Sequence, residues 1–241
     1  MKNMKPIVIF GLGKISDVVY QHIVRDQSFQ VLAFTCDRQW LNQATIDKGT
    51  HQGLPVIAFE DLEKTYPPET TDLIIAMGYQ NLNASRLKKC AEAKARGYHL
   101  VSYVSPKADQ GHWLNIGENC VILDGVGIQP GVSIGNNVFI WNNALIGHHS
   151  TVKDDCWIAA GVTIGGSTTL GERCFVGLNA TLGGEITVGA DNLLGGASLI
   201  LKNTADKSVF IAAGTEKFRL DSPTFLRMTS LPAMGNGQKK D

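Results

Sequence analysis

Two adjacent histidines, His148 and His149, sit in the stretch Asn142-Asn143-Ala144-Leu145-Ile146-Gly147-His148-His149-Ser150. An imidazole takes and returns protons near neutral pH, so such a residue suits general acid–base work on an amine or hydroxyl. A second feature lies near the N-terminus, where the apolar run Ile7-Val8-Ile9-Phe10 ends in Gly11-Leu12-Gly13-Lys14-Ile15-Ser16. Glycines at a strand-to-helix turn let backbone N–H groups and the helix N-terminus meet a phosphate. Asp37 follows about twenty residues further on, where an acidic side chain could meet a ribose hydroxyl or a base. Gly11, Gly13, Lys14 and Asp37 are therefore the expected substrate-binding set, with a packing turn as the alternative. Ser16 stands where the dinucleotide fingerprint has its third glycine, and no second mononucleotide half follows. That pattern favours a nucleotide or nucleotide sugar over NAD chemistry.

The elements that must hold these groups are announced by periodicity. Isoleucine, leucine or valine occupies every sixth position for fifteen steps, from Ile116 to Ile200. Six fits neither the 3.6 of an α-helix nor a heptad, but it is a multiple of two, so each aliphatic falls on the same face of successive short strands. Hexapeptide self-similarity marks a β-helix. Three hexads make one triangular coil of eighteen residues, which stacks Ile116, Ile134, Val152, Leu170 and Val188 in one column. Fifteen hexads give about five coils, roughly 24 Å tall at ~4.8 Å per coil. Glycine follows the aliphatic at 117, 135, 147, 165, 171, 177, 183, 189 and 195, which suits corners where the chain must turn or adopt positive φ. The exposed ends of the prism need covering, the N-terminal domain being the expected lid at one end and the segment after Lys202 at the other.

Residues 5 to about 104 alternate strands and helices, which implies a parallel sheet. Strands are expected at 7–10, 31–34, 55–57, 73–77 and 100–104, with helices starting near Ser16, Asp61 and Ala84. The predicted fold class is α/β plus β, a small Rossmann-like domain over 1–105 followed by a β-helix over 106–220 and a C-terminal tail over 221–241.

Composition narrows the function classes. Lys plus Arg and Asp plus Glu both number 22, and no polybasic run occurs, which argues against nucleic acid and anionic membrane surfaces. The apolar stretches are too short to span a bilayer, and the start MKNMKPIVIFGLG lacks the apolar region of a signal peptide. A cytoplasmic location is expected. Cys120, Cys156 and Cys174 fall in the small-residue column two positions before an aliphatic, and Cys36 and Cys90 lie far apart. All five read as reduced packing residues without the paired spacing of a zinc site, so no metal is expected.

A short α/β domain carrying Gly11-Leu12-Gly13, followed by uninterrupted hexapeptides with a central histidine, resembles the bacterial sugar acyltransferases. It is similar to the sialic-acid O-acetyltransferase and the bacillosamine-pathway N-acetyltransferase, over about residues 5 to 220. The resemblance implies a left-handed β-helix, a homotrimer, acetyl-CoA or another acyl-CoA lying between neighbouring prisms, and a nucleotide-linked sugar on the N-terminal domain. Surface polysaccharide, O-antigen or glycan biosynthesis would be the setting. It further implies that His148 is the catalytic base and that the backbone amide of Gly166 polarises the thioester carbonyl. The two positions differ by eighteen, so they stack one coil apart. A partner is needed to orient His148, and His149, Asn142, Asn143 or Asp124 could supply it. The chain departs from the family pattern in three places. His149 stands where an acidic residue commonly follows the catalytic histidine, Trp157 where some members carry a further histidine, and Lys14-Ile15-Ser16 where many read Gly-His-Gly. Two other functions use such a solenoid. A γ-type carbonic anhydrase holds zinc with three histidines, whereas the repeat here contains His148 and His149 alone, and neighbours on a strand point to opposite faces. A non-catalytic scaffold would leave the histidine and the glycine turn without roles.

Overall fold

The structure, a computed structural model, describes residues 5–41, 49–111 and 114–229. The N-terminal unit runs β1 (Lys5–Phe10), α1 (Lys14–Asp26), β2 (Phe29–Cys36), β3 (Thr50–His51), β4 (Leu54–Ala58), α2 (Leu62–Thr65), β5 (Asp72–Ile75) and α3 (Ala84–Ala95). Its sheet has the order β3-β4-β2-β1-β5, with β3 antiparallel on the edge and the rest parallel. Ile7, Val8, Ile9, Leu73, Ile74 and Ile75 are fully buried. Both faces of the sheet are covered, which is why these strands read as continuous apolar runs. α1 starts two residues before the expected Ser16, capped by Gly13, and the Ser16 hydroxyl donates to the Gly13 carbonyl at 2.7 Å.

The hexads form a left-handed parallel β-helix. Each contributes a two-residue strand, from Asn115–Ile116 to Leu199–Ile200, and each strand as far as Thr181–Leu182 pairs with the one eighteen residues on, as in Ile116↔Ile134↔Val152↔Leu170↔Val188. Three sheets result, and the aliphatic column fills the space between them. Every member from Ile122 to Ile200 is buried, while Ile116 is half-buried at the N-terminal end. Each buried aliphatic stabilises the stack by roughly 1.5–3 kcal/mol relative to exposure. This dry interior, with Cys120, Cys156 and Cys174 fully buried in it, makes the repeat rigid enough to position a side chain on its corners.

The glycines after each aliphatic sit where the chain turns, but the positive-φ alternative is corrected. None of them has positive φ; the left-handed residue falls three places after the aliphatic, as at Asn119, Asn137, Asn143, His149, Asp155 and Ser167. The glycines instead allow coils to approach. A Cβ on Gly147 would lie 2.5 Å from the Gly166 nitrogen, and one on Gly165 would lie 2.4 Å from the Gly184 nitrogen.

Two further expectations are corrected. The segment 100–104 is not one strand of the α/β sheet. Leu100 bridges Leu73, whereas Tyr103–Val104 pairs with Val121–Ile122 and so begins the solenoid. The N-terminal domain is also not a lid on the prism's end. It packs on one flat face, where Tyr103, Val121, Phe139 and Trp157 point outward and are buried against Ile7, Ile9, Val19, Ile23, Phe34 and Ile74. Large outward side chains on this face are the physical reason, since a prism end offers mainly backbone edge. The N-terminal end is covered by Val104, Ala108 and Leu114. At the other end Val209–Phe210 adds a strand beside Leu193–Leu194, as expected for the segment after Lys202. Beyond it a helix, α4 (Ser222–Thr229), leaves Phe225, Leu226 and Met228 exposed, and residues 230–241 of the expected tail lie outside the described residues. No described helix is long and apolar enough to cross a membrane.

An ion cluster fastens the two parts together. Arg25 at the end of α1 donates to both oxygens of Asp124 at 2.7 Å and to both oxygens of Asp26 at 2.6 and 2.7 Å. Ser105, Lys107 and His22 also face Asp124, and Tyr103 donates to Asp26. The hydrogen bonds from Arg25 hold both carboxyls below the usual carboxylate range. Carboxyls depressed in the folded state contribute stability that is present above their unfolded pKa, near 4, and lost as pH falls through the folded values. Melting temperature should therefore drop on acidification below about pH 4, and Arg25→Met should flatten that drop; equal acid sensitivity in the two proteins would show the cluster to be inert.

Candidate active site

His148 and His149 sit on the corner between the sheet through Ile146 and the sheet through Val152. His149 takes the left-handed conformation at φ 58°, which turns the chain between the two residues. Their side chains therefore do not alternate as on a strand, and the rings meet with Nδ1 to Nδ1 at 3.2 Å. The His149 ring lies over Gly131, where a Cβ would come within 2.8 Å of it. The His148 ring lies over Gly166, with Cε1 and Nε2 each 2.6 Å from where a Cβ would be. Expected stacking of 148 on 166 is thus present, and it is the imidazole Nε2 edge that faces the glycine.

The backbone of this corner is fixed from inside and open outside. Buried Ser150 donates to the Gly165 carbonyl at 2.9 Å and accepts from the Thr168 N–H at 3.0 Å. Ser167 N–H donates to the His148 carbonyl at 2.7 Å. His148 N–H is capped by Gln129 Oε1 at 2.8 Å. The N–H groups of Gly166 and, one coil on, Gly184 donate no hydrogen bond among the described residues. On another corner the equivalent N–H groups are closed, Glu118 by Asn136 and Asn136 by Asp154. The result is a strip without side chains running from His148 over Gly166 and Gly184 to the exposed Lys202, with unpaired donors along it. Such donors are suited to a developing oxyanion. Gly184 and Ser150 escape sequence reasoning because one resembles any corner glycine and the other occupies the small-residue column.

The other proposed orienting groups are elsewhere. Asn142 and Asn143 lie on the corner before the Leu145–Ile146 strand, and Asp124 stands on that same corner two residues after Ile122 and is held by Arg25. Of the four candidates, His149 is the one brought to the His148 ring. Trp157 is 4 % exposed, stacked on Phe139 with centroids 5.4 Å apart, and belongs to the interdomain core. Among the described residues no third metal-ligating side chain joins the histidine pair. The group with donors close enough for a metal is His22, Asp26 and Asp124, and Arg25 already occupies both carboxylates there.

Gly11, Gly13, Lys14 and Asp37 are brought together in a cleft of about 660 Å³. It opens at the C-terminal ends of β1, β2 and β5, where ligands bind in open parallel sheets. Gly11 adopts φ 130°, and a Cβ there would be 2.8 Å from the Ala76 carbonyl oxygen; at Gly13 a Cβ would meet nothing, so the α1 N-terminus stays approachable. Sequence reasoning missed the opposite wall, made by Met77, Gly78, Ser85, Lys88, Lys89 and Glu92, and the 70 % exposed Trp40 at the mouth. The spacing 85, 88, 89, 92 marks one face of a helix, but nothing local says what that face meets. Lys89 Nζ donates to Asp37 Oδ1 at 2.6 Å and also to Glu92. Burial works to lower the Lys89 pKa, and the two carboxylates outweigh it and raise it. Three lysines and a helix N-terminus around an open glycine turn suit a phosphate-bearing ligand.

The α/β domain and His148 lie on opposite sides of the prism. The α/β domain covers the sheet through Ile140 and Ile158, and His148 stands on the corner opposite that face of the triangle. Within one chain the prism lies between cleft and histidine.

These features define a fold, a left-handed parallel β-helix of hexapeptide repeats carrying an α/β domain on one face. Residues 115–148 match the family described as bacterial transferase hexapeptide (six repeats), and the period continues without a break to Ile200. Solved structures then place the whole two-part architecture among known proteins. A variant of the perosamine N-acetyltransferase from Caulobacter crescentus, in complex with CoA and GDP-perosamine, superposes with a TM-score of 0.74 at 24% identity, covering 85% of this chain and 92% of that one. The acetyltransferase domain of PglB from Neisseria gonorrhoeae FA1090, in complex with acetyl coenzyme A, gives 0.75 at 24% identity over 86% and 96%. WeeI from Acinetobacter baumannii AYE gives 0.72 at 16% identity over 86% and 96%. The likeness to all three is one of fold. No curated protein matches the sequence.

Proposed function

We propose that the protein is an acyl-CoA-dependent acyltransferase, using acetyl-CoA, that modifies an amino or hydroxyl group of a nucleotide-linked sugar in surface polysaccharide or glycan biosynthesis. The observation that carries this reading is the His148 Nε2 edge lying against Gly166, whose N–H is unpaired. His148 Nε2 takes the proton of the acceptor as its nitrogen or oxygen attacks the thioester carbonyl. The oxyanion accepts from the Gly166 N–H, an interaction worth about 3–4 kcal/mol in comparable sites. Collapse breaks the C–S bond, and the same Nε2 returns the proton to the departing thiolate. For Nε2 to start as a base, the neutral ring carries its proton on Nδ1, which donates to His149 Nδ1. His149 then does for His148 what a carboxylate does in many histidine sites. No metal takes part.

The side-chain-free strip over Gly166 and Gly184 supports placing the pantetheine arm there, with Lys202 near the phosphates. The cleft at Gly11, Gly13, Lys14 and Asp37 supports binding of the nucleotide. Since the prism separates the domain that carries the cleft from His148 in one chain, a working site needs a second copy, and a homotrimer would supply it. The CoA and GDP-sugar held by the Caulobacter protein support the same pairing of ligands here.

Calorimetry with acetyl-CoA and with UDP-, dTDP-, GDP- and CMP-linked sugars tests the ligand assignment. Binding of acetyl-CoA and of one nucleotide class is expected. Binding of acetyl-CoA with no nucleotide sugar would leave a free sugar or glycan as acceptor, and binding of neither would favour a non-catalytic scaffold.

A further inference from the structure

Arg86 is fully buried, yet it lines neither the cleft nor the histidine corner. Its Nη1 donates to the carbonyl oxygens of Met77 and Gly78 at 3.4 and 3.3 Å, and both residues wall the cleft. Its Nε and Nη2 donate to Asn137 Oδ1 at 2.8 Å, the Asn137 carbonyl at 3.0 Å and the Cys156 carbonyl at 3.4 Å, on two successive coils of the solenoid. The guanidinium also lies over the Phe139 ring, 4.3 Å from its centroid. Asn137 is fixed in turn by Asn119 and by Asp155. Burial pulls the Arg86 pKa down to about 10, which still leaves it charged at neutral pH.

A buried cation with no carboxylate in direct contact is a costly way to join two domains, and apolar packing of similar volume commonly does as well. The stretch that follows the gripped residues is also strained. Asn81, Leu82 and Asn83 are three successive non-glycine residues with φ of 53°, 48° and 67°. Such backbone persists only where its surroundings over-determine it, and it gathers at functional sites. The surroundings here belong to the solenoid: Tyr79 packs on Phe175 and Trp157 at 4.5 and 5.1 Å, and Asn83 donates to the Cys174 carbonyl at 3.4 Å.

We propose that Arg86 is a positioning residue for the acceptor site, fixing the Met77–Gln80 wall of the cleft to the solenoid so that the nucleoside diphosphate of the acceptor is held in one place. The inference rests on the reading of the cleft as a nucleotide-sugar site. Five hydrogen bonds from one guanidinium set the spacing between cleft wall and coils, and lysine cannot reproduce that fork. A clamp that served stability alone would change the melting temperature and the folded fraction without changing affinity in the molecules that remain folded.

The test uses the full chain and its variants Arg86→Met and Asn137→Ala, with GDP, UDP and dTDP as probes in calorimetry below each protein's melting temperature. In Arg86→Met the Kd for the preferred diphosphate should rise about three- to thirty-fold, as for network residues that do not touch the ligand. Asn137→Ala, which removes one acceptor and keeps the carbonyl, should shift it less in the same direction. The Kd for acetyl-CoA should stay at its wild-type value in both, and KM should rise for the acceptor alone. Unchanged diphosphate affinity in folded Arg86→Met, or in Asn137→Ala should the first variant not fold, overturns the proposal. Wild-type protein that binds no nucleoside diphosphate overturns the nucleotide-sugar reading itself, and this inference with it.

Discussion

Replacing His148 by alanine should lower kcat by about 10²- to 10⁴-fold, the range that a positioned general base supplies, with KM for both substrates near wild type. An interaction made only as the proton moves is lost from kcat and kcat/KM alike. The ring is exposed on a corner and its backbone is held by Gln129 and Ser167, so its removal should leave the melting temperature within a degree or two. Residual turnover should remain above the uncatalysed rate, because the Gly166 and Gly184 N–H groups are untouched. His149→Ala removes the group that selects the Nδ1 tautomer and should cost less, since an unpaired imidazole still samples the productive orientation. Thiol release under saturating acetyl-CoA, with melting curves on the same preparations, checks both statements.

A single methyl group at position 166 should be nearly as damaging. The backbone of Gly166 is not in the left-handed region, so alanine is conformationally acceptable, and the clash is with the His148 ring at 2.6 Å. A side chain can rotate away, so the fold survives while the base leaves its place above the amide. A displacement of about 1 Å at a reacting group costs on the order of 10²-fold in rate. Gly165→Ala provides the contrast, because its Cβ would meet the backbone nitrogen of Gly184 at 2.4 Å, and backbone in a stacked coil cannot give way. Gly166→Ala is expected to lose activity and keep stability, whereas Gly165→Ala is expected to lose stability first. The reverse pattern would show that the glycine at 166 serves the corner and not the reaction.

The fold was legible where one period governed everything. A six-residue repeat forces the aliphatics into one interior column, so the register Ile116↔Ile134↔Val152 follows from counting. Gly11, Gly13, Lys14 and Asp37 were also placed together, because the C-terminal edge of a parallel sheet collects the loops that follow its strands. What periodicity does not carry is which face of the prism is occupied. Tyr103, Val121, Phe139 and Trp157 recur at eighteen residues and form a large apolar stripe, on the face of the strands opposite to the interior column. The repeated glycines show a related limit: composition places a small residue at each corner, but only the stacked backbone shows that it is the neighbouring coil, not φ, that excludes a Cβ. Arg86 had no local signal at all, since its five acceptors come from three separate segments.

The measurement that tests acyl transfer most directly is mass analysis of the sugar nucleotide after incubation with acetyl-CoA and either wild-type protein or His148→Ala. One acetyl group should be added to the amino or hydroxyl sugar by the wild type, with an equal amount of free CoA released, and at least about 10²-fold more slowly by the variant. Equal rates for the two proteins, or no acetylated product from any amino- or hydroxy-sugar nucleotide that the protein binds, would contradict it.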